Sequence, residues 1–323
     1  MYSYNSKLNE NLVKIKVIGI GGGGNNAVNR MIEDDIRNVE FILMNTEAGF
    51  VQRAKTKNVL QIGKLTTGGL GAGANAEVGE RAAIENKEDI KRMLEDTDIV
   101  FLTAGMGGGT GTGAIPVVAQ IAKEMGILTV GIVTKPFKFE GKKRLDRAEL
   151  GIAKLRQNLD ALIVVLNDKL LKTVGEHTSI NEAFILADTI LEQGVLSITD
   201  LITTVGTINI DFADIRTVMS YKGRAYMGIG ISDGQDKLLE ATKQAIENTL
   251  TETDINGAKG VIFNVRGGED LSLDEINNSI KLINDKIDED ANVIFGTVID
   301  PALDDEVEVT VIATGIEDKK MDK

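Results

Sequence analysis

The sequence contains no cysteine and no tryptophan, and it has only one histidine and three prolines in 323 residues. Without cysteine there is no disulfide, no thiolate metal site and no cysteine nucleophile, and His177 alone cannot build a histidine-rich zinc site. Any metal must therefore be held by oxygen. No apolar run reaches the roughly 18 residues of a membrane span, and the start, MYSYNSKLNENLVK, lacks the basic and apolar segments of a secretory signal. We expect a soluble, cytoplasmic chain.

Positive charge is also scarce: 36 lysines and arginines stand against 49 aspartates and glutamates, which gives a formal net charge of −13. Such an excess of negative charge opposes nonspecific binding to nucleic acid or to an anionic membrane. Few aromatic residues are present to stack on single-stranded bases. We therefore expect no nucleic acid and no membrane surface as a direct partner.

The first half of the chain alternates β-rich runs with helical patterns, as a parallel sheet with crossover helices requires. The candidate strands are VKIKVIGI, EFILMN, DIVFLTAG, GILTVGIVT and DALIVVLN. Several are almost continuously apolar, which is typical of strands covered on both faces. The helical patterns between them are NNAVNRMIEDD, AEVGERAAIENKEDIKRML and AIPVVAQIAKEMG. This order predicts a doubly wound, Rossmann-like nucleotide-binding domain of the α/β class.

From Ser179 onward, apolar residues recur at three- and four-residue steps, which predicts a long core-facing helix. Ser179 and Glu182 have capping-box spacing at its start, and Ser272 and Glu275 repeat that spacing before a later helix. Further strands are predicted at GRAYMGIGIS, GVIFNVRGG, NVIFGTVID and EVEVTVIATG. The predicted organisation is a flexible segment 1–12, a nucleotide-binding domain 13–178, a central helix 179–203, a smaller α/β domain 204–316 and a frayed tail 317–323.

Glycine is abundant, and it is clustered. Three clusters adjoin predicted elements of the first domain: GIGGGGNN (19–26), TTGGLGAGAN (66–75) and AGMGGGTGTGAIP (104–116). Glycine lets backbone N–H groups approach an anion with no Cβ in the way, and a following helix N-terminus adds a favourable dipole. One isolated cluster fits a set of tight turns as well as it fits a binding site. Three in one domain favour a site for a long phosphate chain.

Two nucleotide-binding classes need to be compared with this pattern. Gly19, Gly21 and Gly24 form G-x-G-x-x-G after a strand, and Glu47 supplies an acidic residue after the second strand. A dinucleotide-binding oxidoreductase therefore stays open. A P-loop is excluded, because no glycine is followed by Lys-Ser or Lys-Thr. Phosphates would be held by backbone amides, threonine hydroxyls and a metal ion.

The motif GGGTGTG (107–113) is the signature of the tubulin and FtsZ superfamily, and the chain resembles the FtsZ family of cell-division GTPases from about Val13 to Gly315. Further matching stretches are IKVIGIGGGGNNAVNRM, GLGAGAN, TKPFKFEGKKR, NIDFADI and VIATG. The resemblance implies a tubulin-like fold, bound GTP or GDP with Mg²⁺, and head-to-tail polymerisation of this chain into a cytokinetic ring. It also implies GTP hydrolysis at the subunit junction. A filament protein that keeps its nucleotide without hydrolysing it remains an alternative.

The resemblance also implies which residues contact the nucleotide. In the phosphate loops these are Gly22, Gly23, Gly24, Asn25, Asn26, Gly71, Ala72, Gly73, Gly107, Gly108, Gly109, Thr110, Gly111 and Thr112. Glu140 and Arg144, which by themselves fit an ordinary solvated loop, reach the ribose and phosphates. Asn167 and Asp188 read guanine, with Phe184 against the base. A carboxylate at 188 can accept hydrogen bonds from guanine N1–H and the 2-amino group, which adenine lacks.

The stretch NIDFADI contains the candidate catalytic residues Asn209, Asp211 and Asp214. Carboxylates three residues apart share a face of a turn and can hold one water. By themselves the two aspartates fit equally a capped helix start or an oxygen-rich cation site. The resemblance implies that they complete the nucleotide site of the next subunit, through a heterologous interface that does not close.

Three positions depart from the family pattern: Gly68 where arginine is common, Ala76 where proline is usual, and Glu47 where aspartate is usual. None removes a phosphate-binding backbone, so we expect activity to survive. The family also continues into a linker and a short peptide that binds membrane tethers and regulators, and nothing after Gly315 resembles it. The resemblance implies a cytoplasmic protein at the division site, and His177 is expected to be structural.

Overall fold

The computed structural model describes residues 13–171, 178–203, 211–247, 250–268, 271–300, 303 and 305–317. His177, Asn209, the segment 1–12 and most of the predicted tail lie outside these residues. Two sheets and a long helix between them are found, so the predicted α/β class is confirmed. The exact domain boundaries stay a prediction.

The first sheet is parallel, with the strand order β3-β2-β1-β4-β5-β6. Its strands are β1 Ile15–Ile20, β2 Val39–Asn45, β3 Val59–Gln61, β4 Ile99–Gly105, β5 Leu128–Lys135 and β6 Ala161–Leu166. The direction of winding reverses between β1 and β4, and doubly wound sheets bind ligands beyond the carboxyl ends of strands at that point. Only β3 was not predicted, since its three residues form no apolar run.

Helices cover both faces of this sheet. They are α1 Gly21–Glu33, α2 Lys64–Thr67, α3 Ala76–Glu85, α4 Lys87–Leu94, α5 Thr110–Glu124, α6 Lys142–Arg156 and α7 Asn167–Leu170, with 3₁₀ turns at Ala48–Arg53 and Lys138–Glu140. Successive strand residues enter different cores: Val17 packs in the cluster on one face and Ile18 in the cluster on the other. Burial on both faces explains why the strands read as continuously apolar.

Two helical predictions need correction. The stretch AEVGERAAIENKEDIKRML is two helices, because Asn86 ends α3 and starts α4. Its Oδ1 accepts from the Gly63 N–H at 2.8 Å and its Nδ2 donates to Asp89 at 2.7 Å, so the side chain binds outside the helix ladder. Arg144, which by itself fits a solvated loop, lies in the first turn of α6. This helix was not predicted because its first residues are charged, although Ala148, Ile152 and Leu155 further along it are buried.

The predicted central helix is α8, Ile180–Thr203, and it is confirmed. The capping box at its start is present: the Ser179 N–H donates to Glu182 at 2.7 Å, and the Glu182 N–H donates to Ser179 Oγ at 3.2 Å. With 24 residues the helix is about 36 Å long. One hydrophobic cluster joins β1 and β5 to α8 and to the second sheet, so the two sheets share a core.

The second sheet has the order β7-β10-β8-β9, in which β10 is antiparallel to both neighbours and β8 is parallel to β9. Its elements are β7 Arg224–Asp233, β8 Gly260–Gly267, β9 Asn292–Ile299 and β10 Glu306–Ile316, with α9 Phe212–Met219, α10 Lys237–Glu247 and α11 Leu273–Asn284. The predicted capping box of Ser272 and Glu275 starts α11. In the part of the chain that the structure describes, no helix has both the length and the apolarity needed to cross a membrane.

A close contact between α3 and α5 generates the first prediction. A Cβ built at Gly113 would collide with the carbonyl of Ala76 and lie 2.7 Å from the backbone nitrogen of Glu80. We expect Gly113→Ala to lower the free energy of unfolding by about 2 kcal/mol, because two helix backbones must separate. Urea denaturation of the nucleotide-free protein measures this.

The control is Gly22→Ala, on α1, where a Cβ meets no atom within 4 Å. Alanine favours a helix over glycine by up to about 1 kcal/mol, so this variant should be no less stable than the wild type. Equal stability of the two variants would contradict the packing argument.

Candidate functional site

The three glycine clusters meet at the carboxyl ends of β1 and β4. Two of the predicted loops run directly into helices: the first cluster begins α1 at Gly21, and the signature motif begins α5 at Thr110. A Cβ built at Gly21 would lie 2.7 Å from the backbone nitrogen of Gly111, so the first loop lies directly against the signature loop. A Cβ built at Gly109 would lie 2.9 Å from the backbone nitrogen of Asn75, so the signature loop lies directly against the loop 68–75. The loops therefore contact one another backbone to backbone, and side chains at these positions would separate them.

Part of this surface is open. Built Cβ atoms at Gly22, Gly71, Gly73 and Gly108 meet nothing within 4 Å. At Gly71 and Gly73, φ is +86° and +57°, a conformation that L side chains rarely adopt. At these positions the backbone itself faces open space, beyond the carboxyl ends of the strands. This arrangement can present N–H groups to an anion without a lysine.

Asn25 and Asn26, both assigned to the first phosphate loop, have different environments. Asn26 is exposed, whereas Asn25 is 5 % exposed. The Nδ2 of Asn25 donates to the Gly19 carbonyl at 2.9 Å, and its Oδ1 accepts from Nδ2 of Asn45 at 2.7 Å. Both ends of the Asn25 amide are thus used inside the protein, and the side chain ties α1 to the end of β2.

The two threonines of the signature loop also differ. The hydroxyl of Thr112 accepts from the Gly107 N–H at 2.8 Å and so closes its own loop. The hydroxyl of Thr110 lies 2.6 Å from that of Thr46. Thr46 was not among the candidate residues, because a threonine after a strand carries no signal of its own.

The sugar-side candidates lie beside the signature loop. Glu140 accepts from the Phe137 N–H at 2.9 Å and pairs with Arg144 at 3.1 Å. Arg147, one turn further along α6, donates from Nε to the Gly107 carbonyl at 2.9 Å. Sequence reasoning missed Arg147 because it did not predict α6, where residues at i and i+3 share a face.

The base-side candidates lie at the ends of β6 and α8. Asn167 is 4 % exposed, and its Oδ1 has no hydrogen-bond partner in the structure. A buried polar atom without a partner is costly unless a ligand supplies one. Phe184 is 39 % exposed and meets the Phe137 ring edge-on at 5.4 Å. An exposed ring face and an unpaired amide oxygen suit a planar base with N–H donors.

Asp188 lies one helical turn beyond Phe184 among charged groups on α1 and α8. Burial raises the pKa of Asp188 to about 7, partly opposed by the positive charge of Arg30. Burial also raises the pKa of Glu192 to about 7, helped by the negative charge of Asp34 and a hydrogen bond with it. Asp188, Glu192, Asp34 and Arg30 thus form one charged cluster, in which the pKa values of Asp188 and Glu192 are raised.

Asp211 and Asp214 lie elsewhere. Asp211 is the residue before α9, Asp214 is in its first turn, and both are exposed, so the local structure is a helix start. The helix α9 packs against β8 and β9 of the second sheet. At the end of α8, Ile202 and Thr203 line a groove of about 1400 Å³ with the amino-terminal ends of β1 and β2. The glycine loops are at the carboxyl ends of the same sheet. The two aspartates therefore stand at the start of a helix that packs on the second sheet, whereas the glycine loops belong to the first sheet.

The three positions that depart from the family pattern have local structural explanations. Gly68 has φ +59° at the end of α2, which arginine would adopt only with strain. Ala76 begins α3 after Asn75, whose side chain caps the helix by accepting from the Glu77 N–H. Glu47 pairs with Arg53 at 3.3 Å. Within the described ranges, no group of three or more His, Asp or Glu side chains is placed to hold a metal ion.

Comparison with known proteins agrees with this geometry. Residues 14–175 match the Tubulin/FtsZ family, GTPase domain, and residues 223–317 match the FtsZ family, C-terminal domain. The empty FtsZ dimer of M. jannaschii is 42 % identical with a TM-score of 0.90, covering 95 % of this chain and 90 % of that chain.

CetZ2 from Haloferax volcanii, a GTPγS-bound protofilament, is 18 % identical with a TM-score of 0.82, covering 95 % of each chain. CetZ1 from the same organism, a GDP-bound monomer, is 21 % identical with a TM-score of 0.79, also covering 95 % of each chain. At these identities the two CetZ structures show a common fold alone.

The fold and the family matches thus define a two-domain, tubulin-like protein that binds guanine nucleotide. The chain belongs to the Tubulin/FtsZ family, and its C-terminal domain belongs to the FtsZ family. It is a GTP hydrolase. The dinucleotide oxidoreductase that the sequence left open is thereby excluded.

The raised carboxyl pKa values give a prediction about stability. A carboxyl whose pKa is higher in the folded state binds a proton there that the unfolded chain has already lost. Between about pH 5 and pH 8, Glu192 therefore makes the free energy of unfolding fall as pH rises. We expect Glu192→Gln to flatten this slope and to be more stable than the wild type at pH 8 by about 1 kcal/mol.

Denaturation curves at pH 5, 6, 7 and 8 measure the slope. Glu289→Gln removes the same charge from an exposed position and is the control. If Glu192→Gln kept the wild-type slope, the buried carboxyl would not be its source.

Proposed function

We propose that this chain polymerises head to tail into the protofilaments of a cell-division ring and hydrolyses GTP where two subunits meet. The observation that carries the proposal is a separation within one chain. The phosphate loops lie at the carboxyl end of the parallel sheet, whereas Asp211 and Asp214 stand at the start of α9, which packs on the second sheet. A site divided in this way is completed by a second copy, and such a heterologous contact repeats without closing.

Phosphate binding is assigned to the backbone of the three loops and to charge from α6. The open positions at Gly22, Gly71, Gly73 and Gly108 face the phosphates, and Arg144, with a 45 % exposed side chain, adds positive charge. A hydrogen bond to a charged oxygen contributes roughly 1.5 to 3 kcal/mol. A few of them provide the about 8 kcal/mol of micromolar affinity.

Magnesium fits this site through the nucleotide. Among the described residues no group of three or more acidic or histidine side chains is placed to hold a metal ion, so its ligands would be phosphate oxygens and water, as is usual for this ion. When bound it neutralises phosphate charge, and the chain's own residues set the position of the phosphates.

Guanine recognition is assigned to Asn167, Asp188 and Phe184. The unpaired Oδ1 of Asn167 accepts from the base, and the base lies on the exposed Phe184 ring. Asp188 accepts from N1–H and the 2-amino group, which requires the ionised carboxylate. Binding of guanine therefore lowers the pKa of Asp188 from its raised value, and a proton is released near neutral pH.

Hydrolysis is assigned to Asp211 and Asp214 of the neighbouring subunit. Phosphoryl transfer requires positioned phosphates, charge neutralisation and an oriented water. The loops supply the first, and the two exposed carboxylates orient and polarise the water. Around the loops, Leu65 and Leu70 are each 90 % exposed and Phe139 is 58 % exposed, an apolar surface that a second subunit would cover.

The M. jannaschii relative is described as a dimer, which supports self-association of this chain. We also propose a cytoplasmic location at the division site. Membrane tethers and regulators would bind a C-terminal peptide of the kind the family carries.

Substitution of the two aspartates tests the divided site. We expect Asp211→Ala and Asp214→Ala to bind GTP within about twofold of the wild type and to lose turnover by about 100-fold or more, because the water loses its base. Asp274→Ala changes an exposed first-turn aspartate of α11 and is the matched control. Equilibrium binding of labelled GTP and phosphate release are the measurements.

Phosphate release is followed over a series of protein concentrations. Release per wild-type molecule should rise above a threshold concentration, since only joined subunits have complete sites. Loss of GTP binding in either variant would overturn the in-trans assignment. A constant rate per molecule would contradict assembly-dependent hydrolysis, and filaments without release would favour the non-hydrolysing alternative.

The assignment of Asp188 predicts a pH-dependent affinity. GTP affinity of the wild type should fall as pH decreases from 8 to 6, because the carboxyl takes up a proton. Asp188→Asn should lose that dependence, weaken GTP by about tenfold or more and gain affinity for xanthosine triphosphate, whose C2 carbonyl accepts from the amide.

The control is Asp200→Asn, at a part-buried aspartate of the same helix. This variant should keep the wild-type preference for GTP over xanthosine triphosphate and the wild-type pH dependence of GTP affinity. If Asp188→Asn bound GTP as the wild type does at every pH, Asp188 would not read the base.

A further inference from the structure

The turn after β2, residues 45–48, contacts each of the three glycine loops. Asn45 donates to Asn25 behind the first loop at 2.7 Å. Thr46 meets Thr110 of the signature loop, and the Ala48 N–H donates to the Gly69 carbonyl of the third loop at 3.0 Å. The turn is therefore the common neighbour of three segments that are otherwise far apart in sequence.

Thr46 is held firmly in this turn. Its backbone N–H donates to Oδ1 of Asn45 at 2.9 Å, and its carbonyl lies 3.3 Å from the Thr67 hydroxyl, which donates to the Gly63 carbonyl at 2.8 Å. The residue has no exposed surface, and its hydroxyl lies 2.6 Å from that of Thr110. The Thr46 hydroxyl lies just after the end of β2, is buried and contacts the signature loop, so it has few orientations available.

One proton arrangement of the pair suits an anion. A hydroxyl has one proton and two lone pairs, and either threonine can be the donor. If Thr110 donates to Thr46, it has no proton left for a phosphate oxygen. If Thr46 donates to Thr110, the proton of Thr110 is free. Because a phosphate oxygen can only accept, bound nucleotide selects the second arrangement.

We propose that Thr46 is a positioning residue for GTP, whose hydroxyl donates to Thr110 and leaves the Thr110 proton directed to the phosphates. This inference rests on the proposed function, in which Thr110 contacts phosphate. Thr46 itself touches no nucleotide; it acts by fixing the rotamer and the proton of Thr110.

Thr46→Val tests the role, because valine keeps the branched shape and removes the hydroxyl. The loss of one oriented hydrogen bond to a charged oxygen should weaken GTP and GDP binding by about tenfold. Thr46→Ser keeps the hydroxyl and should restore most of the affinity. Thr103→Val, on neighbouring β4, is the matched control: Thr103 is equally buried, and its hydroxyl has no hydrogen-bond partner in the structure.

A double-mutant cycle separates positioning from packing. If Thr46 acts through Thr110, then Thr46→Val combined with Thr110→Val should bind nucleotide no more weakly than Thr110→Val alone. Urea denaturation of every variant checks that each is folded. Because purified full-length protein and labelled GTP suffice, assembly does not enter the measurement.

Each outcome decides something. Wild-type affinity in Thr46→Val, equal losses in Thr46→Val and Thr46→Ser, or additive losses in the double variant would each overturn the positioning role. Unchanged binding in Thr110→Val would instead refute the assignment of Thr110 in the proposed function, and the inference with it. Failure of the wild type to bind GTP would refute the proposed function itself.

Discussion

A phosphate chain can be bound by backbone N–H groups only where no Cβ stands between them and the anion, and the first domain depends on this constraint. The start of α1, the turn that leads into α5 and the loop before α3 touch one another through bare backbone at Gly21, Gly109 and Gly111. A side chain at these positions would push the loops apart. The sequence has no P-loop lysine, and in the proposed site three converging loops would supply the donors that one loop with a lysine supplies elsewhere.

Side chains then hold that backbone in place. The amide of Asn25 bonds to the Gly19 carbonyl and to Asn45, and the hydroxyl of Thr112 accepts from Gly107. Residues that look like ligands in a motif are in part the supports of the ligand-binding backbone. Buried polar groups of this kind are stable only when their partners are satisfied, which links the shape of one loop to the next.

The central helix α8 connects this site to the rest of the molecule. Its first turns carry Phe184 and Asp188 to the base-side residues, and its last turn reaches the amino-terminal ends of the strands. Its middle belongs to a hydrophobic cluster that includes both sheets, so a helix of about 36 Å crosses the protein as one packed element. The buried carboxyls of Asp188 and Glu192 are costly in the folded protein, as their raised pKa values show. Their retention on this helix suits a binding surface rather than a stability optimum.

The sequence by itself determined the elements and their order. Strand runs covered on both faces, the capping boxes at Ser179 and Ser272 and the glycine loops are local signals, and each depends on residues within a few positions of one another. The tertiary structure alone decided where Asn86 divides a helix, that charged Lys142 to Arg144 begin α6, and that Thr46 meets Thr110 across 64 residues. It also decided that Asp211 and Asp214 stand at the start of a helix packed on the second sheet. These outcomes depend on which distant backbone or side chain arrives opposite a residue, and that is set by the packing of the sheet and of α8 rather than by any local pattern.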